Sequence, residues 1–179
     1  MILLTEYDNT WPLLFKQECE RLTGIKSNHL ILSIEHIGST AIPNLSAKPI
    51  IDIMVGLKSI DLADESLVSE IQALGYIYKF EYEATIPDRR YFKRKSNLIG
   101  YNVHVVTYRS VFYNNLLLFK NILLSRPEVL KEYQELKYKL SLLYDNEFDY
   151  ANAKTNFITA ILQKFGKVKT HSLNKKLFW

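Results

Sequence analysis

The sequence predicts an α+β fold, and three observations predict it. Up to about residue 108, strand-like apolar runs are interrupted by two helical segments; from there to about residue 165 the pattern is helical only; and no repeat or low-complexity linker separates the two parts. We therefore expect one domain over residues 1–165, in which a mixed sheet with helices on one side (1–108) is followed by a helical part (109–165). A basic tail at 166–179 completes the chain. With 179 residues, 47% hydrophobic and 13% aromatic, the chain can fill a single packed core.

The elements follow in order. Thr10 before Trp11 and Pro12 reads as a cap and first turn, opening a helix that ends near Gly24 and offers Leu13, Leu14, Cys19 and Leu22 to the core. Residues 30–37 are apolar and β-branched enough for a strand, and 50–57 are so uniformly apolar that both faces should be buried. Between them Pro43, Asn44 and Pro49 break regular structure, leaving room for a short helical turn within 39–45. Ile60, Ala63, Leu67, Ile71 and Leu74 recur at helical spacing, and Gly75 ends that helix. Strands are expected near 76–82, 90–94 and 101–106, then helices over 111–124, from Pro127 to about 144, and over 149–165. In the run KEYQELKYKL, Lys131, Lys137 and Lys139 alternate with Glu132 and Glu135, which reads as a solvated face with intrahelical pairs.

Charge and composition narrow the function classes. The formal charge is +4, but four of the 23 basic residues (Lys167, Lys169, Lys175, Lys176) lie in the tail, which has no acid, so residues 1–165 balance at 19 against 19. A neutral body argues against a nucleic-acid-binding face. Leu177, Phe178 and Trp179 suggest a tail end that docks on the body or on a second subunit, so a homodimer is one arrangement. No apolar run is long enough to span a membrane and the first residues lack a signal-peptide pattern, so a cytoplasmic protein without membrane contact is expected. Cys19, flanked by Glu18 and Glu20, should be inert, because both charges raise a thiol pKa.

The chemistry concentrates in residues 35–55, EHIGSTAIPNLSAKPIIDIMV. Gly38 and Ser39 form a turn at a strand end, where backbone N–H groups and a hydroxyl can meet a phosphate. Asp52 is a carboxylate inside a buried strand, costly unless paired, hydrogen-bonded or bound to a cation. Together they read as half of a nucleotide–metal site. Thr40 either joins that turn or caps it. Lys48 is placed to approach phosphate or to neutralise Asp52. Arg89 and Arg90 are candidate anion clamps; adjacent strand residues face opposite ways, so at most one reaches a pocket, and the competing reading is a pair of surface arginines bonded to Glu81, Glu83 or Asp88.

The run HIGSTAIPNLSAKPIIDI resembles the signature of the GrpB family (UPF0157), members of which are sometimes fused to dephospho-CoA kinase. Colinear matches extend to Tyr7 and Trp11, IPDRRYF (86–92), VHVV (103–106), FKNILLSRPEVLKEYQELK (119–137) and YANAKTNFI (150–158), the last carrying Tyr150 and Lys154 four apart on one helix face. The family in turn is similar to the nucleotidyltransferase superfamily of polymerase-β-like folds. That resemblance implies a nucleotidyltransferase-like mixed sheet, a nucleotide or phosphorylated small molecule held at Gly38 and Ser39, and Mg²⁺ or Mn²⁺ on carboxylates at i and i+2 of a strand. Asp52 supplies the first carboxylate, but Met54 stands at the second position, and a thioether does not replace a carboxylate for Mg²⁺. A third group comes from a later strand in the superfamily; here Asn102 and His104 share one strand face, and the resemblance implies that His104 projects towards Asp52 as metal ligand or base. Two readings stay open: a metal-dependent transferase using Asp52 and His104, or a binding module with a degenerate metal site. A carboxylate such as Glu35 or Glu83 within reach of Asp52 would favour the first, and an apolar interface on the helical half would favour a third, an interaction protein.

Overall fold

The computed structural model describes residues 1–166. The readings that concern Lys167 to Trp179 fall outside them. Its five strands, β1 (Ile31–Ile37), β2 (Ile50–Leu57), β3 (Ile77–Tyr78), β4 (Arg89–Ser96) and β5 (Ile99–Thr107), form one sheet in the order β1-β2-β5-β4-β3. The central pair β2–β5 is parallel and the other pairs are antiparallel, so the sheet is mixed as expected. β2 occupies the interior with Ile51, Ile53, Met54, Val55 and Leu57 all buried, which is what its continuous apolar run requires. Only two residues of the expected 76–82 strand pair with β4; the chain then turns at Phe80–Tyr82.

Six α-helices among the described residues cover the sheet: α1 (Trp11–Thr23), α2 (Glu65–Ala73), α3 (Val111–Ser125), α4 (Pro127–Leu143), α5 (Glu147–Ala153) and α6 (Thr155–Gly166). They lie on both faces, not on one. Ile51, Ile53, Val55, Val103 and Val105 point one way, into a core with Trp11 and Leu22 of α1 and Leu67 and Ile71 of α2. Met54 and Val106 point the other way, into a core with Phe112, Leu116, Phe119, Tyr133 and Ile158 of the later helices. Alternation along β2 and β5 feeds both cores, so one helical layer could not have buried the apolar residues of both faces.

Local chemistry sets several helix ends. Asp64 caps α2 by accepting the Leu67 N–H, Ser110 caps α3 through the Tyr113 N–H, and Asn146 caps α5 through the Asp149 N–H. Gly75 follows α2 with φ +88°, the left-handed conformation that glycine adopts without a Cβ clash. Thr10 precedes α1 but makes no side-chain cap, and Leu13 is exposed; the buried face of α1 instead carries Trp11, Glu18 and Leu22. Glu18 is satisfied there by Arg21 (2.7 Å), by the Tyr76 hydroxyl (2.9 Å) and by Arg94. The single helix expected over 149–165 is two helices, broken at Lys154. Among the described residues no helix is long and apolar enough to cross a membrane.

Candidate functional site

The site lies on the sheet face covered by α3–α6. Strand register brings Ile37, Asp52, Asn102 and Lys93 into one row across β1, β2, β5 and β4, and the next row is Glu35, Met54, His104 and Tyr91. Asp52 Oδ1 accepts the Asn102 amide N–H at 2.7 Å. His104 Nε2 is 3.9 Å from the same oxygen, too long for a hydrogen bond but within strong Coulomb range. Burial pushes the Asp52 carboxyl up, yet His104, Asn102 and Lys48 together outweigh it and hold the group below its ordinary value.

Behind His104 stands Arg89. It is 2% exposed, its Nη1 lies 3.4 Å from His104 Nδ1, and its guanidinium stacks 4.8 Å from the Tyr91 ring centroid. A guanidinium only donates, so Nδ1 is the acceptor and the imidazole proton sits on Nε2, the nitrogen turned towards Asp52. Burial pushes His104 below its ordinary value, opposed by Asp52 and reinforced by the charge of Arg89. The reading of both arginines as surface residues is thus corrected for Arg89, which faces inward because it shares the site face with Tyr91 and Lys93. Arg90, on the opposite face, pairs with Glu83 at 3.1 Å.

At the other side of Asp52 a cavity of about 60 Å³ opens, lined by Ser39, Lys48, Asp52, Lys137, Tyr150 and Lys154 among others. A water needs roughly 10–15 Å³ on this measure, so the cavity can hold several waters or one phosphate-sized anion. Lys137 is 2% exposed and donates to Ser46 O; Lys154 is 5% exposed and lies 4.5 Å from the Tyr150 ring centroid. Burial, aided by the neighbouring ammonium groups and opposed by Asp52, pushes Lys137 well down and Lys154 to about 7. Among the described residues the buried Tyr150 hydroxyl has no hydrogen-bond partner. Lys48, half-buried, reaches Glu147 Oε1 at 3.3 Å rather than Asp52.

Gly38 has φ +70°, and a Cβ there would collide with Asp52 Oδ2, so only glycine lets the turn lie against the carboxylate. Ser39 follows on the cavity wall. Thr40 is buried with its hydroxyl donating to Ile50 O at 2.9 Å and 3.0 Å from His36 Nε2, which ties the turn to β2. Met54 is fully buried among apolar side chains. Glu35 accepts from the Tyr113 hydroxyl at 3.3 Å, and Glu83 is taken by Arg90 and Tyr78. Among the described residues no group of three or more His, Cys, Asp or Glu side chains could hold a metal ion. The donors that remain, Asp52 and His104, suit a divalent cation poorly: Asp52 Oδ1 already accepts from Asn102, and the buried Lys137 and Lys154 line the same space.

Lys137 sits in the charge run KEYQELKYKL, whose composition suggests a solvated face, yet it is buried. Its signal was the spacing Val129, Tyr133, Lys137, Leu140, which puts it on the buried stripe of α4. Cys19 has its thiol pushed up to about 11 by burial and by Glu18, Glu20 and Glu35, consistent with an inert thiol.

Comparison with known proteins gives one answer. The family model described as "GrpB protein" matches residues 1–164. The "Glutamate-rich protein GrpB" of Alkalihalophilus pseudofirmus is 31% identical over 168 residues, covering 91% of this chain and 95% of that protein. The "UPF0157 protein YqkA" of Bacillus subtilis is 34% identical over 153 residues, and the match spans 85% of this chain but 43% of that protein. A "Dephospho-CoA kinase" of Mycobacterium bovis is 41% identical over 76 residues, 18% of its length. The crystal structure of conserved protein GrpB from Enterococcus faecalis superposes with a TM-score of 0.78 at 32% identity, over 90% of this chain and 96% of that one.

Proposed function

The chain belongs to the GrpB family, and we propose that within it this protein binds a phosphate-bearing small molecule, a nucleotide or a phosphorylated metabolite, in the cavity beside Asp52. One observation carries this reading: Lys48, Lys137 and Lys154 converge on a cavity whose wall has a single carboxylate. Burial at 2% and 5% exposure disfavours the charged form of Lys137 and Lys154, and an anion in the cavity would favour it. Ser39 adds a hydroxyl and Tyr150 an unpartnered one, both able to donate to phosphate oxygens. Asp52 is the counter-charge that partly offsets the burial of the lysines, and His104 with Arg89 stands behind it.

Nucleotidyl or phosphoryl transfer, with Asp52 and His104 as the reacting groups and Mg²⁺ or Mn²⁺ bound, is the second reading. What favours it is Asp52 sharing a wall with Ser39. Against it, both ring nitrogens of His104 are turned on protein groups and the lowered Asp52 pKa makes a weak base. A thermal-shift screen of inorganic phosphate, nucleotides and coenzyme A precursors, with and without Mg²⁺, Mn²⁺ or Zn²⁺, separates the two. Binding predicts stabilisation without metal that Lys137→Met removes; metal-dependent stabilisation with product release would reverse the order.

A further inference from the structure

A second, larger cleft of about 540 Å³ adjoins the lysine cavity and shares Lys48, Ile50 and Asn102 with it. One wall is the N-terminal segment Met1–Leu3 and the other is the end of the β4–β5 hairpin, around Lys95 and Leu98. Four large apolar side chains on this cleft stand open to solvent: Met1 (81% exposed), Leu3 (73%), Ile77 (63%) and Leu98 (85%). Scattered exposed apolar residues are ordinary, but four around one concave cleft, interleaved with Lys79, Lys93, Arg94 and Lys95, offer contact area to an apolar body carried by an anion. Its floor is made by Ile50 lying across β5, which Gly100 permits, since a Cβ there would approach Ile50 Cγ1 to 3.1 Å. Glu147 lines the cleft, and its carboxylate bridges Lys48 (3.3 Å), which borders both spaces, and Lys93 (3.0 Å).

From the continuity of a cationic cavity with a cleft that presents Met1, Ile2, Leu3, Ile50, Ile77 and Leu98 among basic side chains, we infer that the ligand is a phosphate monoester with an apolar body: the phosphate lies among Lys48, Lys137 and Lys154, and the body extends past Glu147 into the cleft between Met1–Leu3 and the hairpin. The inference rests on the phosphate reading above and adds the nature and direction of the rest of the molecule. An apolar body in this cleft buries both its own surface and that of Ile77 and Leu98. A polar one leaves those side chains in water and gains nothing from them.

The test is calorimetric titration of the full chain with inorganic phosphate and with methyl, propyl, butyl and hexyl phosphate, beside hexanol and hexanoate as controls. Affinity for the esters should rise about two- to fourfold per methylene until the cleft is filled. Leu98→Ser and Ile77→Ser, both at exposed positions, should flatten that rise and leave the affinity for inorganic phosphate unchanged, with the melting temperature of each variant checked alongside. Binding of phosphate with a flat ester series overturns this inference alone. Hexanol or hexanoate binding as well as hexyl phosphate overturns the phosphate reading on which it rests, and failure of every phosphate to bind overturns both.

Discussion

Replacing Lys154 by methionine should stabilise the protein while removing its anion affinity. Lys154 falls from an ordinary value of 10.5 to about 7 because burial, and then Lys48, disfavour its charge more than Asp52 favours it. The unfolded chain therefore holds a proton between these values that the folded chain gives up, so stability rises as pH rises from about 7 to 10.5. At neutral pH the cost of the buried group is on the order of 4 kcal/mol, each pKa unit being ~1.4 kcal/mol. Methionine matches the unbranched stem and carries no charge, but it forgoes the contact of the ammonium with the Tyr150 ring, 4.5 Å away. We expect a net gain of about 2–4 kcal/mol, read as a shift of the urea midpoint at constant slope. The variant should also lose most of the upward trend of stability with pH. Sulfate, whose charge does not titrate here, serves as the test anion; losing one buried charged hydrogen bond should weaken it by about 10- to 100-fold. A Lys154→Met protein that is less stable than the wild type, or that binds sulfate equally well, would refute the view that a buried charge is kept for an anion.

Four further outcomes follow from the same geometry. Sulfate affinity of the wild type should fall as pH rises through about 7, where Lys154 loses its proton, and titration in buffers of different ionisation enthalpy should report proton uptake on binding. Gly38→Ala should cost about 1–3 kcal/mol by urea denaturation, because φ +70° and the Asp52 carboxylate both exclude a Cβ. Glu147→Gln should tighten sulfate by about two- to fivefold, since it frees Lys48 and Lys93 from an exposed pair of modest strength. Glu18→Gln, remote from the site, should cost about 3 kcal/mol without touching sulfate affinity, because it strands Arg94 between Tyr76 and Tyr101.

What the sequence revealed and what it hid have physical causes. β2 is legible to the residue because a continuous apolar run with one polar interruption has few other uses, and Gly38 is legible because a Gly-Ser turn after a strand has few alternatives. The sheet's two-sided cover is not, because alternation says that a strand has two faces but not which later helix covers each. Arg89 and Arg90 read alike in sequence and separate only through register, which sets Arg89 on the row after Tyr91 and His104 and Arg90 on the far face. Lys137 is hidden by its neighbours: a lysine among glutamates suggests solvent, and only the Tyr133 and Leu140 spacing marks it as buried. The break at Lys154 is hidden too, because YANAKTNFI carries neither Gly nor Pro to signal it. Met54 departs from a paired-carboxylate strand for a reason visible only in the fold, where its position is part of the apolar core under α3 and α6.

Whether Lys48, Lys137 and Lys154 form an anion site against Asp52 can be seen in a crystal soaked in tungstate. Tungstate is a tetrahedral dianion whose anomalous signal locates it without reference to the surrounding density. An anion site there gives a single strong peak in the cavity bounded by Ser39, Asp52, Tyr150 and the three lysines, lost in Lys137→Met crystals. Peaks confined to surface lysines, with that cavity empty of tungstate, would contradict it.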